Sequence, residues 1–244
     1  MFVLKNDYNR LCFLLVILEM FVIVFWSIGT LLFLLLMKIQ SSIEERWNWL
    51  SHGFGFVLSF FGLFLLLVAN THKTSYSTFS IIVYATSLII LYFASTAYHY
   101  TSDSSLKKRF RIMDHISIYL LIAGTYTPVT LIGLLGSKGW LLFILVWSFA
   151  AFGFILKLFF TGKFEILSVI LYLIMGWLIM LDITTLTEIV GSDGIMYLML
   201  GGLAYTFGIV FYAFNKLNFN HVIWHLFVLA GSIFHYIFIW KYII

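Results

Sequence analysis

The sequence has one cysteine, Cys12, one proline, Pro128, and a charge on only 10% of its residues. A single cysteine excludes an internal disulfide framework and any cysteine-built metal knuckle. Low-complexity linkers are missing, and so is a repeat of the kind many transporters carry. The net charge of +4 is spread over short connections, which leaves no basic run suited to nucleic acid and gives no reason to expect it as a partner. The connections are too short to fold into a separate soluble domain. No feature of the sequence specifies an oligomeric state.

What fills the space is apolar. Hydrophobic residues make up 63% of the chain, with 27 phenylalanines in 244 residues, more than a water-soluble fold of this size can bury. A spanning helix needs about 20 mostly apolar residues. Such runs occur at Leu11 to Leu36, His52 to Asn70, Thr78 to Tyr98, Ile116 to Leu135, Trp140 to Leu156, Ile166 to Leu186, Ile195 to Phe214 and Val222 to Trp240. Their length and lack of alternation favour helices over barrel strands. The expected fold is an all-α integral membrane protein, a seven-transmembrane-helix bundle in residues 43–244. Residues 1–42 form an N-terminal extension holding a further candidate transmembrane helix. That first run is too long for a signal peptide, and "MKIQSS" is not a small-residue cleavage site. The other reading makes Met37 the natural start, leaving seven helices.

Lysine and arginine collect in cytoplasmic loops, so their distribution predicts orientation. The stretch "YTSDSSLKKRFRIM", read as a loop, carries Lys107, Lys108, Arg109 and Arg111. Placing it in the cytoplasm brings Lys38, Arg46, Lys157, Lys163 and Lys216 to the same side, with Lys73, Lys138, Lys241 and the acidic "TEIVGSDG" opposite. The core is therefore expected in the cell membrane with a cytoplasmic N-terminus and an outer C-terminus.

Ionisable residues inside membrane helices are costly and usually face the bundle interior. On this topology Glu45, Asn48 and His52 stand at the cytoplasmic entry of the first core helix. Ser95 and His99 end the second, Asp114 opens the third, and His221 and His225 open the seventh. Imidazoles at i and i+4 lie on one helix face, close enough to ligate one metal ion. A third imidazole and a water would complete a tetrahedral site with one open position, the arrangement of catalytic zinc. Asp114 is then either a ligand or the group that holds the water, and Ser95, one turn before His99, is placed to hydrogen-bond a substrate or oxyanion. Zinc lowers the pKa of its water to about 7, which supplies hydroxide for attack on an amide or ester.

Other polar residues read as structural. A lone histidine in a bundle is usually a satisfied hydrogen-bonder, and His115, His235 and His72 are assigned that role. Glu45, Asn48 and His52 also fit an ordinary helix start, with carboxylate near the positive dipole end. Asp182 and Glu19 are embedded acids with no evident partner, expected near interfaces. Pro128 is expected to kink the third core helix.

These residues together resemble the hemolysin III family, the bacterial branch of the progestin and adipoQ receptor family that includes the adiponectin receptors. The first pattern is Glu45, Asn48 and His52 in "ERWNWLSH"; the second is Ser95 and His99 in "STAYH" followed by Asp114; the third is His221 and His225 in "HVIWH". The resemblance runs from about Ile43 to the C-terminus and leaves the preceding segment without a family role. It implies a zinc ion near the cytoplasmic leaflet held by His99, His221 and His225, with Asp114 contacting it directly or through water. It also implies kinship with membrane hydrolases such as alkaline ceramidases, a haemolytic phenotype, and a role in membrane-lipid homeostasis.

The leading functional expectation is a zinc-dependent hydrolase of a lipid amide or ester, with membrane lipids as substrate or ligand. The alternatives are a non-enzymatic sensor or receptor in which zinc is a structural clamp, and a pore-forming cytolysin. A pore needs a polar lining through the membrane, whereas these polar groups gather at one end.

Overall fold

The computed structural model describes residues 40–213 and 217–244. The candidate helix Leu11 to Leu36, Glu19 and Lys216 lie outside them.

The first helix, α1 (Ser42–Ala69), begins ten residues before the apolar run that marks it in the sequence. A capping box explains the early start: Ser41 Oγ accepts the Glu44 amide at 3.2 Å and Glu44 Oε2 accepts the Ser41 amide at 2.8 Å, satisfying two otherwise orphaned donors. Next come α2 (Ser77–Tyr100) and α3 (Ser104–Pro128). The basic stretch read as a loop is in fact mostly the first turns of α3, started by Asp103, whose carboxylate accepts the Leu106 amide at 2.8 Å. Pro128 brings a change of helical form, because Val129–Gly133 continue as a π turn. The remaining helices are α4 (Gly139–Phe160), α5 (Glu165–Trp177), α6 (Ile183–Ala213) and α7 (Asn220–Phe238).

Among the described residues there is no strand, and six stretches are long and apolar enough to cross a membrane. The protein is a multi-pass membrane protein whose described residues are all-helical. One of the six, Glu165–Ala213, has 49 residues, roughly 70 Å of helix against a hydrocarbon core of about 30 Å. It includes a 3₁₀ turn at Leu178–Asp182 and is broken at Gly191, where φ is 68°, a left-handed conformation that favours glycine.

Helix α2 packs along both α1 and α3, while α7 lies along α6 and also touches α1. Phe54, Phe61, Phe64 and Val68 of α1 face outward, as expected of a surface solvated by lipid tails. Gly55 turns inward, and a Cβ there would lie 2.6 Å from the Tyr92 ring. Tyr92 in turn donates to Ser232 Oγ at 2.8 Å, and Tyr205 Oη meets the same hydroxyl at 2.8 Å. Small residues and buried hydroxyls thus fix the rotation of α1, α2, α6 and α7 about their axes.

Asp182 has three donors around it: Ser137 Oγ at 2.7 Å, the Lys138 amide at 3.1 Å and Thr185 Oγ1 at 2.8 Å. The expectation that it lacks a partner is corrected; it ties the α3–α4 connection to the start of α6. His235 meets the Leu198 carbonyl at 3.2 Å, and exposed His72 lies 3.4 Å from Asn70 Nδ2.

Candidate metal centre

The N-terminal ends of α1, α3 and α7 and the C-terminal end of α2 meet. Glu44 joins two of them, because its Oε1 accepts the Phe219 amide at 2.7 Å just before α7. That bond sets the depth at which α7 presents His221 and His225, which share one face of its first two turns. His99 reaches them from the last turn of α2.

One ring nitrogen from each of His99, His221 and His225 lies within 4.8 Å of the others. The ring centroids are 5.0 Å apart for His99 and His221, 4.9 Å for His99 and His225, and 4.6 Å for His221 and His225. His99 and His225 are buried. Nε2 of His99 and Nε2 of His221 are both buried with no hydrogen-bond partner. Two buried imidazole nitrogens without a partner are costly unless something binds them, so these three residues could bind a metal ion.

Asp114 does not join the three imidazoles within that distance. It is partly buried and lies near His99 and Ser95, and Ser95 is itself 1% exposed. Asp114 therefore stands beside the imidazoles rather than among them.

The Glu45, Asn48 and His52 face of α1 packs directly on the histidines. Glu45 Oε2 lies 2.5 Å from His99 Nδ1, and its Oε1 accepts Lys107 Nζ at 2.9 Å. The Asn48 carbonyl lies 3.2 Å from His225 Nδ1, and Ser51 Oγ is 3.4 Å from the same atom. The His52 ring stacks on His225 with centroids 3.6 Å apart, and both its nitrogens are buried without a partner. Lys107, Ser51 and Glu44 were not anticipated as part of this site. Only Glu44 had a usable signal, the Ser-x-x-Glu capping box.

Between α2, α3, α5, α6 and α7 lies a partly open cavity of about 100 Å³. Leu91, Leu121, Tyr172, Trp177, Trp224 and Val228 are among its walls. Trp224 also packs on Tyr212, whose ring centroid is 6.2 Å from that of His221. Tyr212 thus packs on both a wall of the cavity and a candidate ligand.

The chain matches the family model described as "Haemolysin-III related" over residues 40–236. It is 44% identical over 190 residues to Hemolysin-3 of Bacillus cereus, covering 78% of this chain and 87% of that protein. Identity to the Hemolysin-3 homolog of Bacillus subtilis (strain 168) is 40% over 190 residues, 78% of this chain and 89% of that one. The human monocyte to macrophage differentiation factor is 32% identical over 167 residues, 66% of this chain and 69% of its own. With the three histidines and the ordered motifs inside the matched segment, the chain belongs to the haemolysin-III-related family.

Proposed function

We propose that this protein is a zinc-dependent hydrolase of a membrane-lipid amide or ester, held in the cell membrane with the histidine cluster at the cytoplasmic side. The observation that carries the reading is the convergence of three imidazoles, two with unpartnered buried nitrogens, in a bundle that also holds an apolar cavity. Three neutral imidazoles suit zinc among the borderline metals. When bound there, zinc supplies Lewis acidity and a water acidified towards neutral pH.

The chain's own residues do the rest. His99, His221 and His225 hold the ion. The Asp114 carboxylate takes the proton of the attacking water and returns it to the leaving group, the work of a general base. Ser95 Oγ orients that carboxylate or donates to the substrate carbonyl. The cavity takes an acyl chain, leaving the scissile bond beside the imidazoles. Break and turn within Glu165–Ala213 support two crossings there, which brings the bundle to seven. Arg46, Lys107 and Lys108 near the histidine end support its cytoplasmic placement.

The name of the Bacillus relatives points to cytolysis. A pore would need polar side chains along its whole length, whereas apolar Ile81, Leu88, Leu142 and Val146 are buried in the bundle, so the hydrolase reading is preferred. Turnover of a panel of lipid amides and esters by the purified protein, beside a His221→Ala, His225→Ala double variant, tests it. Hydrolysis by the wild type alone is expected; equal hydrolysis by the metal-free double variant would refute a metal-dependent reaction.

A further inference from the structure

The two ring nitrogens of His99 face different surroundings. Nδ1 meets the Glu45 carboxylate at 2.5 Å, and Nε2 is buried without a partner. Asn48 Nδ2 also faces Nδ1, but at 3.5 Å and already donating to Gln40 Oε1 at 2.8 Å; the ionised carboxylate is far closer and only accepts, so Nδ1 carries the hydrogen and Nε2 is left with a lone pair. The second oxygen of Glu45 is engaged by Lys107 Nζ, which also donates to the Tyr98 carbonyl at 3.2 Å and lies over the Tyr98 ring. A carboxylate that served only the dipole of its own helix would turn to the free amides of α1. Both oxygens of Glu45 instead reach to α2 and α3, one of them onto a candidate ligand.

We propose that Glu45, itself no ligand, is a positioning residue that fixes His99 as the Nδ1–H tautomer with Nε2 free for the metal, and that Lys107 holds the carboxylate in place. The inference rests on the metal reading above and assigns a role to the first motif. An imidazole that donates to a carboxylate is oriented and made more basic, and removal of such a partner typically weakens metal binding 10- to 100-fold. The Asn48 carbonyl does the same for His225 Nδ1 with a neutral acceptor. Helix α1 thus contributes no ligand among the three histidines, yet sets the tautomer of two of them.

The test is zinc affinity of the full chain in detergent, by competition with a chromophoric chelator, together with the visible spectrum of the cobalt-loaded protein. Glu45→Ala is expected to weaken zinc binding about 10- to 100-fold and to shift the cobalt bands. Glu45→Gln, whose amide oxygen still accepts from Nδ1–H, is expected to recover most of that loss. Wild-type affinity and spectrum in Glu45→Ala would overturn the assignment, as would a Glu45→Gln no better than alanine. Should Glu45→Ala not fold, Glu45→Asp replaces it, with binding expected between those of wild type and a ligand-deleted variant and the same overturning result. If the wild type binds neither zinc nor cobalt, the metal reading itself fails and the role of Glu45 with it; if only the variants match wild type, the role of Glu45 alone fails.

Discussion

The imidazole of His52 lies flat on that of His225, with centroids 3.6 Å apart and planes 10° from parallel. A buried stack of this kind fixes the plane of His225 from a helix that makes no bond to its Nε2. His52→Ala removes that support and leaves a void, so it is expected to lower metal affinity by about tenfold and to lower the melting temperature of the metal-free protein as well. Chelator competition and thermal melts in detergent read the two effects separately.

Gly55 faces the Tyr92 ring so closely that a methyl group would stand 2.6 Å from it. Gly55→Ala must push α1 away from α2, at a cost of about 1–3 kcal/mol. Gly136, with nothing within 4 Å of its position, gives the comparison, and Gly136→Ala is expected within about 0.5 kcal/mol of wild type. Urea or thermal unfolding of the two variants side by side checks the difference.

Lys157 is 0% exposed and its Nζ pairs with Glu165 at 2.8 Å. Removing one partner strands a buried charge, whereas removing both does not. Glu165→Ala is expected to destabilise by about 3 kcal/mol or more, and Lys157→Met with Glu165→Leu by much less. A double-variant cycle on unfolding free energy measures the coupling; additive effects would contradict it.

Asp114 stands near His99 and Ser95. As the general base, its replacement by asparagine is expected to lower turnover about 10²- to 10⁴-fold while the metal content stays that of wild type. Loss of metal along with turnover would instead make Asp114 a ligand.

The sequence carried the apolar helices and the cluster of His99, His221 and His225 further than it carried the helix edges. Apolar runs locate each described helix, but hydropathy does not register polar first turns, so α1 and α3 begin ten or more residues before their apolar runs. Their true starts lay in short-range signals, Ser41 with Glu44 and Asp103 with Leu106. His221 and His225 were legible because helical geometry forces i and i+4 together. That Glu45 meets His99, or that Lys107 closes on Glu45, depends on the rotation of α1 against α2, which Gly55 and Tyr92 set through packing. No single-helix pattern encodes such a contact. Two of the three partners of Asp182 were hidden for the same reason, since Ser137 and Lys138 lie 45 and 44 residues away in sequence.

The most direct measurement is metal content, by elemental mass spectrometry on protein purified in detergent without chelator, wild type beside His221→Ala. About one zinc per chain in the wild type and its loss from a folded His221→Ala is the expected result. A folded wild type that holds no metal would contradict the centre and leave His99, His221 and His225 as hydrogen-bonding residues between helices.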